Sequence, residues 1–198
     1  MIFMARATGP TYNVPFKRRY KNKTDYRKRL GLIKSGLPRL VVRASNGGVL
    51  VQIVSFDEKG DKTIAQAKSQ ELSKFGWLGQ ANTPSAYLTG LLAAKRAVSA
   101  GVKDSILDMG MVTASKGKIH FAAAMGAKDA GLNINIDDSL VDKTRINGTH
   151  ISEYAKKLDE SEKEKYQKLF SRYISKKIDP KNLPVLFEEV KGKISKGE

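Results

Sequence analysis

Residues Arg39–Val54 read Arg-Leu-Val-Val-Arg-Ala-Ser-Asn-Gly-Gly-Val-Leu-Val-Gln-Ile-Val. Leu40-Val41-Val42 and Val49-Leu50-Val51-Gln52-Ile53-Val54 are aliphatic, β-branched runs of the kind that suits a pleated, half-buried surface. Asn46-Gly47-Gly48 between them is suited to the positive φ angles of a hairpin turn. Glu58-Lys59-Gly60-Asp61 makes a second turn, and Thr63 to Lys68 then predicts a third strand. Three antiparallel strands in a meander therefore open the sheet.

Downstream the pattern changes period. The Gly-bounded loop Phe75-Gly76-Trp77-Leu78-Gly79 leads to a helix start, with Thr83 as the N-cap and Pro84 at the first helical position. Leu88, Leu91, Leu92 and Val98 form its apolar face, and Gly101 ends it. Ile106 to Val112 reads as a strand. The order strand, helix, strand predicts a crossover and a parallel pair. Ile119 to Ala130 is a helix rich in alanine and glycine, which lets backbones approach closely. Gly131 closes it, and Leu132 to Ile136 is a short last strand. Residues 137–148 are a polar connection. Three helical segments follow: one with Ile151, Tyr154, Ala155 and Leu158, one with Tyr166, Leu169, Phe170, Tyr173 and Ile174, and one with Leu183, Leu186, Phe187 and Val190. Asp159 and Glu162 give the second segment a variant capping box.

The predicted fold is α/β: a mixed sheet, antiparallel meander plus parallel crossover strand, packed with helices. A basic extended N-terminal arm precedes it and a helical tail follows. The boundaries are residues 1–38 for the arm and its short helix, 39–137 for the core, and 138–198 for the linker and C-terminal helices.

The charge is uneven. Met1 to Arg43 hold twelve Lys or Arg and one acid, Asp25, so +11 of the chain's formal +16 lies there. Like charges so crowded oppose compaction, whereas a polyanion gains from them through counterion release. Residues 1–23 lack an apolar period and read as an arm that orders on a partner. A short helix follows, with Thr24 as N-cap and Tyr26, Leu30 and Ile33 on one face. Arg27, Lys28, Arg29 and Lys34 occupy the others. Arg18-Arg19 and Arg27-Lys28-Arg29 offer planar guanidinium forks for phosphate, with Lys17, Lys21 and Lys23 beside them. Tyr12, Phe16 and Tyr20 sit on no apolar stripe and point to base stacking. Tyr26 divides evenly between packing and partner contact. Trp77 favours packing under its loop.

Catalysis finds little support. There is no cysteine among the 198 residues, which excludes disulfides, thiolate metal sites and cysteine nucleophiles. His120 and His150 stand alone, short of the ligand number that zinc needs. Lys116-Gly117-Lys118 lacks Walker spacing but makes a basic turn able to touch a phosphate. A metal-dependent nuclease would have to recruit Asp57, Asp108 and Asp129, which share no motif spacing. A module gripping an acidic protein is the other alternative. No stretch approaches the ~20 apolar residues of a membrane span, and the expected compartment is the cytoplasm. No cofactor, metal, membrane or small-molecule substrate is expected. Met4 is as good a start as Met1.

Several blocks together resemble one family. Ala7-Thr8-Gly9-Pro10-Thr11-Tyr12, Pro15-Phe16-Lys17-Arg18-Arg19, Asn22 to Leu30, Pro38 to Arg43, Phe75-Gly76-Trp77, Asn82 to Leu92, His150 to Ala155 and Asp179 to Glu189 are similar to universal large-subunit ribosomal protein eighteen, of the archaeal and eukaryotic branch. The resemblance implies a protein that binds 5S rRNA and helps attach it to 23S rRNA at the central protuberance, beside neighbouring large-subunit proteins. It implies RNA contacts at Lys17, Arg18, Arg19, Lys23, Tyr26, Arg27, Lys28, Arg29 and Arg43. Met1 to Met4 precede the family's usual start, and Gly110 to Lys118 is shorter and plainer than the family's segment.

Overall fold

The computed structural model describes residues 9–10 and 12–196. Arg6, and Ala7, Thr8 and Thr11 of the first resembling block, lie outside the described residues. The hairpin forms as β1 (Arg39–Ser45) and β2 (Gly48–Ser55), paired from Arg39↔Val54 to Ser45↔Gly48. Of the turn residues only Gly48 has a positive φ, 154°, where a Cβ would strike the Ser69 hydroxyl. β3 (Lys62–Lys68) adds antiparallel to β2. A 3-10 stretch, Ser69–Phe75, leads on to α3 (Thr83–Ser99). The crossover then delivers β4 (Ile106–Asp108) parallel to β1, for a sheet order β3-β2-β1-β4. The mixed α/β sheet is as the residue pattern predicts.

Period-2 alternation sorts the sheet. Leu40, Val42, Val51, Ile53, Ala65 and Ala67 are buried against α3 and α4 (Ile119–Asp129), whereas Arg39 and Arg43 belong to the opposite face. The alanine-glycine composition of α4 has the use foreseen. A Cβ at Gly90 would overlap the Ala123 carbonyl, and one at Gly126 the Tyr87 carbonyl, so the two helices meet backbone to backbone. The Tyr87 hydroxyl donates to Asp129, which ties the same pair together. Burial, and then that carboxylate, push the phenol well above its ordinary range.

The rest of the chain covers α3. After α5 (Lys143–Ile146) come α6 (Thr149–Ser161), α7 (Lys163–Leu169), α8 (Ser171–Ser175) and α9 (Leu183–Lys196). Phe187 of α9 is fully buried, 6.1 Å from Trp77 and 5.4 Å from Tyr87 between ring centroids. Trp77 is packed as expected, its indole N–H donating to Ser85 Oγ at 2.9 Å.

Several expectations fail locally. Asn82, not Thr83, caps α3 by accepting from the Ser85 N–H, which moves Pro84 to the second helical position. Nearly all of α3 from Pro84 to Ala97 is buried while Val98 is exposed, because helices cover it on one side and the sheet on the other. The predicted strand Ile106–Val112 stops at Asp108, where Gly110 (φ 68°) turns the chain. Leu132 to Ile136 contributes one bridge, Asp104↔Asn133, instead of a strand. The 137–148 connection holds a 3-10 turn, Asp138–Leu140, and α5. No capping box forms at Asp159: α6 runs on to Ser161, and Asp159 accepts from Lys181 Nζ at 2.6 Å. The second tail helix breaks at Phe170 (φ −97°, ψ 15°), which leaves Phe170 and Tyr173 buried but Leu169 and Ile174 exposed.

Candidate nucleic-acid interface

Between Phe16 and Tyr26 the arm is folded back on itself instead of extended. Phe16 is extended, and one helical turn, α1 (Lys17–Tyr20), follows it. Asn22 takes the left-handed conformation (φ 50°) that Asn tolerates after a helix. Its N–H donates to the Arg19 carbonyl at 2.9 Å, and the Lys23 N–H to that of Arg18 at 2.8 Å. Arg18 Nε donates to Thr24 Oγ1 at 2.8 Å. The Phe16 and Tyr26 rings lie 5.2 Å apart, so Tyr26 packs within the arm.

α2 (Tyr26–Lys34) is capped by Asp25, one residue beyond the Thr24 expected. Asp25 Oδ1 accepts from the N–H groups of Arg27 (3.0 Å) and Lys28 (3.2 Å). The arm's lone carboxylate is thereby spent on backbone. The stripe Tyr26, Leu30, Ile33 is also rotated. Leu30 is 54% exposed and Leu32 is half-buried, because Arg29 turns toward the sheet to reach Asp61.

That contact begins a chain of charge that anchors the arm. Arg29 Nη2 donates to Asp61 Oδ1 (2.9 Å), and Arg39 Nη2 to Asp61 Oδ2 (2.6 Å). Arg39 Nη1 donates to Asp108 Oδ2 (3.0 Å), and Arg43 Nη2 to Asp108 Oδ1 (3.0 Å). Arg43 Nη1 reaches the Val42 and Asp108 carbonyls, and the Gly110 N–H also donates to Asp108 Oδ1 at 2.8 Å. Three arginines and two aspartates thus join α2, the β2–β3 turn, β1 and β4. Asp108 is buried, which on its own would raise its pKa. The Arg43 guanidinium, the Gly110 N–H and Arg39 outweigh that and hold the carboxyl below its ordinary value. Burial, then Arg43 and Lys118, push the neighbouring His120 imidazole down, so it stays neutral.

This geometry divides the residues singled out in the sequence. Lys17, Arg19, Lys21, Lys23, Arg27, Lys28 and Lys34 are exposed and carry no ion pair among the described residues. Tyr12, Phe16 and Tyr20 are exposed beside them. Arg29 and Arg43 each give one guanidinium edge to the network yet keep 36% and 45% of their side chains exposed. Arg18 is partly engaged by Thr24. Arg39, Asp61 and Asp108 were missed; the one local signal was that Arg39 and Arg43, four apart on a strand, share a face.

Between arm and sheet lies a cavity of about 460 Å³, lined by arm residues on one side and by Arg43, Asp108 and the turn after β4 on the other. The carboxylates proposed for a nuclease are elsewhere engaged. Asp108 is held by arginines, Asp129 by Tyr87, and Asp57 lies on an exposed turn. Among the described residues no three acids or histidines gather as a metal would require, and no helix is long and apolar enough to cross a membrane.

Fold and surface together define an α/β protein that carries a one-signed cationic face on a charge-anchored arm. Residues 10–106, roughly half of the chain and running from the arm into β4, match the family described as ribosomal large subunit proteins 60S L5 and 50S L18. The chain belongs to this family, and with it goes a structural role in the large ribosomal subunit, among rRNA and ribosomal proteins.

Proposed function

We propose that this chain binds 5S rRNA through its arm and helps attach it to 23S rRNA at the central protuberance, beside neighbouring ribosomal proteins in the cytoplasm, without catalysis. The contacts are Lys17, Arg18, Arg19, Lys21, Lys23, Arg27, Lys28, Arg29, Lys34 and Arg43, with Tyr12, Phe16, Tyr20 and Tyr26 as aromatic partners. The arm, residues 1–38, acts as one unit, the 39–137 core as its platform, and residues 138–198 as the cover of that core. One observation carries the reading: the arm's single acid is consumed as a helix cap, so the charge left unengaged on its surface is positive, with exposed rings beside it. Unpaired bases stack on such rings while the backbone follows the charge.

Filter binding of 5S rRNA against unrelated RNA of equal length tests this. About five to eight phosphate contacts predict a log–log salt slope on the order of −4 to −7. Arg18→Ala, Arg19→Ala and Arg27→Ala should each weaken binding by about 1–2 kcal/mol. Deleting residues 1–23 should remove most binding while the circular dichroism of the core persists. Unchanged affinity after that deletion overturns the assignment.

A further inference from the structure

We propose that the cavity between the arm and the carboxyl end of β4 receives one unstacked nucleotide of the bound RNA, with the base on the cavity's apolar lining and its phosphate on the cationic rim. This rests on the RNA-binding reading above and adds a discrete subsite to it.

The first argument is electrostatic. Arg18, Lys23, Lys28, Arg29, Arg39 and Arg43 line the cavity, against the two carboxylates Asp25 and Asp108. Both acids are already spent, Asp25 on the Arg27 and Lys28 N–H groups and Asp108 on two guanidiniums and the Gly110 N–H. Arg39 is buried with its two terminal nitrogens paired to Asp108 and Asp61, but Lys23 and Lys28 have no ion-pair partner among the described residues. A neutral or cationic occupant would have no use for that excess. A phosphate does, because each lysine supplies a mobile point charge.

The second argument is shape. Leu32, Met109, Val112 and Ala114 line the cavity as well, so apolar surface stands beside the charged groups. A simple electrostatic track along a duplex needs no such recess. The volume of about 460 Å³ is in the small-ligand range, with room for a base and its ribose and not for paired strands. Splayed bases from loops and bulges are the parts of RNA that proteins take up in this way.

The third is position. The cavity opens where β4 ends beside its parallel neighbour β1, on the sheet face that bears Arg39 and Arg43. Gly110 makes the turn possible there. Its φ is 68°, a conformation that side-chain-bearing residues rarely adopt, and the space where a Cβ would sit is taken up by the Arg43 guanidinium, whose carbon is 3.1 Å away.

Ultraviolet cross-linking of the full chain to 5S rRNA, followed by mass spectrometry of tryptic peptides, tests the proposal. A nucleotide adduct is expected on the peptide Asp104–Lys116, alongside adducts on the arm. Ala114→Glu, which puts a carboxylate into the lining and repels the phosphate, should weaken 5S rRNA binding by about tenfold, whereas the uncharged Ala114→Gln should weaken it much less. Both variants should keep the wild-type circular dichroism and melting temperature. Adducts confined to the arm, with equal affinity for the two variants, would overturn the subsite and leave 5S rRNA binding intact. Failure of the wild type to prefer 5S rRNA would overturn both readings. Tight binding of free nucleoside monophosphates that RNA does not displace would overturn the subsite in favour of a small-molecule site.

Discussion

Asp108→Asn is the sharpest test of how the arm is held. The side chain is 8% exposed, and it receives Arg39 (4% exposed), Arg43 and the Gly110 N–H. Removing one member of a buried ion pair costs about 3–5 kcal/mol, because the partner charge is left uncompensated. Here Arg39 keeps Asp61, and Arg43 can turn to water, so the loss belongs at the low end, about 3 kcal/mol. Urea unfolding followed by circular dichroism at neutral pH should show a lower midpoint with an unchanged slope. Asp57→Asn, on the exposed turn before β3, is the control and should cost nothing measurable. The pH dependence has a definite sign. The folded-state pKa of Asp108 lies below its unfolded value, about 3.9, so protonation favours the unfolded chain. Its contribution is complete above that value and fades as pH falls through the folded one. The gap between wild type and Asp108→Asn should therefore narrow on acidification below about pH 4. A loss under about 0.5 kcal/mol at neutral pH, where breaking a buried pair should cost several times more, or a gap that stays constant down the acid limb, would refute the account.

Gly126→Ala would force apart α3 and α4 where they touch by backbone. It should cost at least about 3 kcal/mol, a drop in Tm of roughly 6–12 °C at this size. Gly192→Ala, in α9 with open space around it, should instead gain about 0.5–1 kcal/mol, and differential scanning calorimetry separates the two. Ser85→Ala leaves the buried Trp77 N–H without its acceptor, at about 1–3 kcal/mol, while emission from this only tryptophan stays blue-shifted. Asp25→Asn preserves a competent cap and removes the arm's one negative charge, so 5S rRNA should bind more tightly at low salt with α2 helicity unchanged. Weaker binding would show that the carboxylate does more than cap.

The hairpin was legible because β-branched runs around Asn-Gly-Gly leave few alternatives, and the α3–α4 seam because alanine and glycine have little else to offer a helix face. Helix starts slipped by one residue wherever two capping side chains stood together: Thr24 beside Asp25, Asn82 beside Thr83. Propensity cannot choose between such neighbours; the geometry of the entering chain does. The tail stripe misled because Phe170 leaves helical geometry, which a period of 3.6 cannot foresee. At the candidate site, charge density revealed the arm but not its anchor. Asp61 is 32 residues from Arg29, and Asp108 is 69 from Arg39, so no local pattern links them. The cavity is likewise assembled from three distant segments.

The cluster of Trp77, Tyr87 and Phe187 has a consequence for how the molecule is made. Two of its rings belong to the family-matched half, and the third arrives only with α9. Translation at about 5–20 residues per second puts an interval on the order of ten seconds between codons 106 and 187. Throughout it the nascent polypeptide presents an uncapped greasy surface together with a cationic leader in a cell full of nucleic acid. A holdase that shields both at once, and lets go when the last helix docks, would match the timetable this architecture imposes.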